Sequence, residues 1–203
     1  MVGPILKRIG IGVGLATLVV IVVSLFLPRT YTVSRSVMID APLERVHELC
    51  SDLERWPSWT PWFRADPGME IILGEITRGV GAHQSWRSKD GAGELTFTRC
   101  DAEWGVAFDL DFVNRGEQAV STIRYDRTEG QVAVTWDMTG DNGWNPIARF
   151  VGIVMDPLFG PMFEDGLERL KLVAEGRAPG ALDLQDIPDS TDADVDTTGT
   201  VAG

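Results

Sequence analysis

The spacing of hydrophobic positions divides the chain before any motif is considered. Residues 9–27, IGIGVGLATLVVIVVSLFL, are apolar throughout and carry no charge. As a helix these 19 residues span about 28 Å, close to the hydrocarbon thickness of a bilayer. Nothing polar gives the segment an outer face, which argues against a buried core helix. A cleaved signal peptide would have a shorter apolar run and a small-residue cleavage site, and Phe26-Leu27-Pro28-Arg29 is a poor junction. Residues 1–28 are therefore expected to be a short tail and a retained transmembrane anchor.

Residues 33–39 are rich in β-branched side chains and read as a strand. Asp40 offers a helix cap and Pro42 a first-turn residue. Val46, Leu49, Cys50 and Leu53 then fall at i, i+3, i+4 and i+7, one apolar face. Strands are expected next over 69–76, 82–87, 94–100, 106–112, 118–126 and 132–138, with turns at Asp66-Pro67-Gly68, Asp90-Gly91 and Glu129-Gly130. The clearest sets Val106, Phe108, Leu110 and Phe112 against Ala107, Asp109 and Asp111, the alternation of a half-buried antiparallel strand. A sheet apolar on one face needs one cover. Asn145-Pro146 starts that cover, and Phe163, Leu167, Leu170 and Ala174 make its stripe, with Glu164, Glu168, Arg169 and Lys171 opposite and Gly176 as a stop. Asp156-Pro157 and Gly160-Pro161 are expected to kink or restart it. The pattern predicts an α+β helix-grip fold over residues 29–175. About seven antiparallel strands wrap around one long C-terminal helix, with one N-terminal transmembrane helix added.

Charge narrows the partners. The net charge is −12, and setting aside Lys7 and Arg8 in the anchor's flank leaves −14. Nucleic acid is thereby disfavoured, because phosphate recognition needs a basic footprint. Residues 176–203 set Asp183, Asp186, Asp189, Asp192, Asp194 and Asp196 against Arg177, and are expected to form an acidic disordered tail. Lys7 and Arg8 lie on one side of the anchor and Arg29, Arg35 and Arg45 on the other, so the positive-inside rule is nearly silent. A short basic N-tail before an uncleaved anchor places the domain on the non-cytoplasmic side. Gly10 and Gly14 allow a weak homo-oligomer through the transmembrane helix, or reflect composition alone.

Two cysteines and two histidines, at no metal-like spacing, suggest neither a zinc site nor another cofactor. No Ser–His–Asp order, Gly-rich phosphate loop or HExxH is present. His47 falls on the rim of the first helix. His83 falls on the outward face of its strand if Trp86 points inward, out of reach of a substrate proton.

Residues 31–63, YTVSRSVMIDAPLERVHELCSDLERWPSWTPWF, carry a resemblance. Together with "VTWDMTGD", "WNPIARF" and "MDPLFGPMFEDGLERL" they resemble the START-like SRPBCC superfamily, in its polyketide cyclase/dehydrase-like, membrane-anchored branch. The resemblance runs from about Pro28 to Glu175 and implies an apolar cavity between sheet and closing helix. Its expected lining is Trp86, Phe97, Phe108, Leu110, Trp136 and Met138 from the sheet, with Phe150, Met155, Phe159 and Phe163 from the helix. Ser121, Tyr125 and Gln84 are the polar groups expected nearest the interior. Trp56, Trp59 and Trp62 are expected at the cavity mouth, where three readings compete: a lid, an interfacial belt near the membrane, or packing under the first helix. Three functions stay open: a membrane-anchored module binding a hydrophobic small molecule or lipid, a cyclase- or dehydratase-like enzyme, and a non-catalytic regulatory protein.

Overall fold

The computed structural model describes residues 3–89, 91–113 and 117–178. It begins with helix α1 (Gly3–Phe26), followed by strand β1 (Thr30–Ile39) and helix α2 (Leu43–Cys50). A 3₁₀ turn (Trp56–Ser58) and the short helix α3 (Trp62–Ala65) order the Trp/Pro segment. Then come β2 (Glu70–Leu73), β3 (His83–Ser88), β4 (Gly91–Asp101), β5 (Gly105–Phe112), β6 (Glu117–Thr128), β7 (Gln131–Asp141) and helix α4 (Pro146–Ala174). The strands form one antiparallel sheet in the order β1-β7-β6-β5-β4-β3-β2. Every neighbour after β1 is a hairpin partner, so only the β1–β7 pairing joins distant chain.

The two-residue period sets the inner face. Val132, Val134, Trp136 and Met138 are buried on β7, while Asp137 points outward to Arg124 (2.8 Å) and Ser34 (2.5 Å). Phe108 is buried and Asp109 exposed, which fixes the same register on β5. Leu110 is only partly buried, because it borders an open depression near the ends of β5, β6 and β7.

Two expectations at the first helix of the domain are corrected. Asp40 does not cap α2: Pro42 occupies the cap position without a side-chain bond, and its carbonyl accepts the N–H groups of Arg45 and Val46. Asp40 lies two residues early, and its own N–H donates to Glu175 Oε1 at 3.0 Å. Leu53, read as a fourth helical position, is buried beyond the helix end. The closing helix is also unbroken, with Pro157 and Pro161 both inside it. Each proline removes one N–H, so the carbonyls of Ile153 and Pro157 lose their usual donors. The inner side of those turns holds the helix together. Arg35 on β1 donates to Asp156 (2.8 and 3.2 Å) and Glu164 (2.5 Å), one turn either side of Gly160. A side chain at position 160 would strike the Arg35 guanidinium, so glycine is what lets α4 approach β1.

Among the described residues α4 is the one helix long and apolar enough to cross a membrane by length and composition, and the apolar stretch of α1, Gly10–Phe26, is shorter. A core helix passes the same test, and α4 is bonded to β1 along its inner side. The acidic tail lies, from residue 179 on, outside the described residues, as does Asp90 of the expected Asp90-Gly91 turn.

Candidate functional site

The space between sheet and closing helix is filled by aromatic rings. Trp136 stacks on Phe163 with centroids 4.2 Å apart and an interplanar angle of 8°. Trp59 and Trp62 meet the same indole edge-on at 5.6 and 5.8 Å. Phe97 stacks on Phe108 at 5.7 Å, and Trp56 lies against both. Such offset and edge-on pairs add about 0.5–1.5 kcal/mol each beyond the area they bury. Three of these indole nitrogens also donate. Trp56 Nε1 donates to Cys50 O (3.0 Å) and Trp59 Nε1 to Leu49 O (3.1 Å), supplying donors to carbonyls that α2 leaves open at its C-terminus. Trp136 Nε1 donates to Ser121 Oγ at 3.0 Å, and Ser121 Oγ in turn donates to Asp137 O at 2.7 Å.

The open space lies to one side. A cleft of about 340 Å³ runs between the Trp segment and the β2–β3 edge. Leu53, Trp56, Thr60 and Gln84 form its buried floor, Trp62, Ile71 and Leu73 its apolar walls, and Glu54 and Pro57 its rim. The volume is at the lower end of the range for small-molecule pockets, which are mostly apolar with a few orienting polar groups. Thr60 Oγ1 is committed to Trp56 O at 2.8 Å. Glu54, the ionisable side chain in this lining, is exposed at the rim and accepts from Thr77 at 3.1 Å. A second depression of about 290 Å³, at the ends of β5, β6 and β7, is edged by Asp109, Asp111 and Asp141 and includes Leu110.

A polar cluster sits elsewhere, under α2. Cys100 Sγ lies 3.9 Å from His47 Nε2, and the His47 ring meets Tyr125 edge-on at 5.9 Å. His47 Nδ1 is buried with no hydrogen-bond partner among the described residues, and Tyr125 Oη is buried beside the Cys50 thiol. Burial pushes the Cys50 thiol up to about 12 and raises Tyr125 and Cys100 as well. Burial and then the charge of Arg78 lower His47. Cys100 therefore stays a thiol beside a neutral imidazole, not the thiolate–imidazolium pair of a cysteine nucleophile.

The expected residues separate into groups. Phe97, Phe108, Trp136, Met138, Met155 and Phe163 are buried core, with Trp86 and Phe159 partly buried against it and Phe150 half-exposed on α4. Ser121, Tyr125 and Gln84 all face inward, and Gln84 alone of the three reaches the cleft. Of the Trp segment, Trp56 and Trp62 line the cleft, whereas Trp59 is fully enclosed beneath it. His83 points outward to Thr96 at 3.0 Å. Leu53, Pro57, Thr60, Ile71 and Leu73 were not expected to line a cleft. The available signal was the sequence Glu70-Ile71-Ile72-Leu73, a strand without a polar face on the sheet's edge.

Residues 30–175 match the model of a family described as polyketide cyclase / dehydrase and lipid transport. The chain belongs to this family. Its fold is shared by solved structures at low identity. KanY matches with TM-score 0.54 and 18% identity over 72% of this chain and 99% of its own. A hypothetical protein, jhp0584, from Helicobacter pylori gives 0.53 and 10% over 70% and 87%. DynU16, from the dynemicin biosynthetic locus, gives 0.52 and 17% over 73% of this chain but 49% of its own, so this chain spans about half its length. At these identities the likeness is one of fold. Among curated proteins no sequence gives a significant match.

Proposed function

We propose that this member of the polyketide cyclase/dehydrase family is a membrane-anchored, non-catalytic module that binds a hydrophobic small molecule or lipid. α1 is the anchor, and the domain lies on the non-cytoplasmic side. The cleft carries the reading: its walls are Trp, Leu and Ile, its floor offers Gln84 to orient a ligand carbonyl or hydroxyl, and its ionisable member is engaged at the rim. An enzyme would need an acid or base aimed at that space, and His47, Tyr125 and Cys100 lie outside its lining. The exposed apolar surface of α1 supports the anchor, since Ile11, Val13, Leu15, Leu18 and Phe26 touch no core.

A photoreactive fatty acid, added to the full chain in nanodiscs and mapped by mass spectrometry, tests the binding. Crosslinks are expected on Trp62, Ile71 and Leu73, and both Trp62→Ala and Leu73→Asp should reduce them several-fold. Tyr125→Phe and His83→Ala should leave them unchanged. Crosslinks confined to lipid-facing α1, or indifferent to the cleft substitutions, would defeat the binding reading. Turnover of a hydrophobic substrate that vanishes in Tyr125→Phe while labelling persists would establish the enzyme instead.

A further inference from the structure

The first half of α4 carries an apolar outer stripe. Ile147, Val151, Val154 and Leu158 fall at i, i+4, i+7 and i+11, a single stripe turned away from the sheet. All are exposed, Val154 by 52% and Leu158 by 59%. The opposite side of the same turns meets the domain through Arg149, Met155 and the Asp156–Arg35 pair. Beyond Pro161 the exposed helical positions become Glu164 and Glu168, so the outer surface changes from apolar to charged part-way along one helix. The apolar stripe is about 17 Å long at ~1.5 Å per residue.

The start of α4 is tied to the end of α1. Arg149, only 4% exposed, donates through Nη1 to Ser24 O at 2.9 Å and through Nε to Gly143 O at 3.2 Å. Its charge sits on the C-terminal carbonyls of α1, where a helix favours a cation. At the same junction Trp144 is 77% exposed, with the guanidinium of Arg29 5.1 Å and that of Arg149 5.6 Å from its ring. A Trp flanked by Arg at the edge of an apolar surface is the composition of a membrane–water boundary.

We propose that this face is a second bilayer contact: Trp144 and the outer stripe of α4 rest in the interfacial layer of the membrane that α1 enters. The inference rests on the reading of α1 as the anchor. The bond between the last turn of α1 and the first turn of α4 favours lipid over a protein occupant. If α1 crosses the bilayer, its last turn lies at the membrane surface, and the Arg149 bond holds the start of α4 at that depth. α4 lies on the bilayer and does not pass through it. Arg35 keeps Asp156 and Glu164 on β1, so the inner side of the helix is held by the sheet and carries charge. The chain is strongly acidic, so the contact is driven by apolar burial and not by attraction to anionic lipid. Phosphatidylcholine suffices, and salt changes little.

The test uses the full chain in phosphatidylcholine vesicles, with Cys100→Ser as background. Cys50 is buried and stays unlabelled. An environment-sensitive fluorophore is placed at Val154→Cys, at Leu158→Cys and, as control, at Glu168→Cys, all exposed positions that should not disturb folding. Labels at 154 and 158 should emit to the blue of the label at 168 and be quenched several-fold more by spin-labelled phosphatidylcholine. Protein that floats with vesicles but leaves all three labels equally wet overturns the second contact and spares the anchor. Labels at 154 and 158 that are dry yet unquenched by the spin-labelled lipid show a protein occupant, a second copy included, and also overturn it. Protein that fails to float defeats both.

Discussion

Ser121 illustrates how single residues are chosen here. It occupies an inward position that patterning alone would give to an apolar side chain, and it is buried because the Trp136 indole needs an acceptor there. His47 is the less settled case. Half-buried beside Cys100 and Tyr125, with Arg78 and Asp101 near, it holds a pKa below the ordinary imidazole value, chiefly because burial disfavours its charged form. The linkage follows directly. The unfolded chain takes up a proton near pH 6.5 that the folded one resists, so this contribution is complete above that pH and is lost as pH falls below it. The urea midpoint of the native protein should therefore decline between about pH 7 and pH 5.5, and His47→Gln should flatten that decline. The depressed carboxyls of Asp101, Asp156 and Glu175 act only in a more acid window. An unchanged slope in His47→Gln would show that the imidazole is not the group responsible. The sequence placed His47 on a helix rim but could not supply Cys100 and Tyr125, which come from β4 and β6, more than fifty residues away.

At the scale of elements, α4 shows how a long-range contact overrides a local signal. Two prolines four residues apart suggest a kink or a restart, and the helix runs through both without restarting while β1 holds its inner side. Arg35 is then a positioning residue for the whole segment. Arg35→Met should leave the sheet intact while lowering hydrogen-exchange protection of amides across the middle of α4, between the prolines and Phe163. Equal protection in variant and native protein would mean that hydrophobic contacts alone keep the helix continuous. The strands were far more legible. β5, β6 and β7 show their two-residue period in sequence, and hairpin order follows from short turns at Gly and Asp. The 3₁₀ turn and α3 were not legible. They exist because Trp56 and Trp59 must turn their indoles back onto the end of α2.

For the molecule as a whole, the decisive feature is a filled interior with an open cleft at its side. Trp136→Ala would remove the ring between Trp59, Trp62 and Phe163, at a cost of ~3–5 kcal/mol by analogy with large buried aromatics. The variant should still fold, and should bind a hydrophobic probe inside in a manner indifferent to Leu73→Asp, because an apolar void of that size stays dry. Urea unfolding and probe titration check the two halves. A collapse of the void, seen as a small stability loss and no added probe binding, would show an interior able to close around smaller side chains. The sequence by itself determined the apolar N-terminal segment, the one-sided strands, the closing helix and hence the helix-grip fold, because backbone periodicity is local and each element must bury the face its own pattern makes apolar. Only the tertiary structure decided where space remains. Cavity or core at Trp136 depends on rings from the Trp segment, β7 and α4 meeting at one point, and no period along the chain encodes how well their volumes fit.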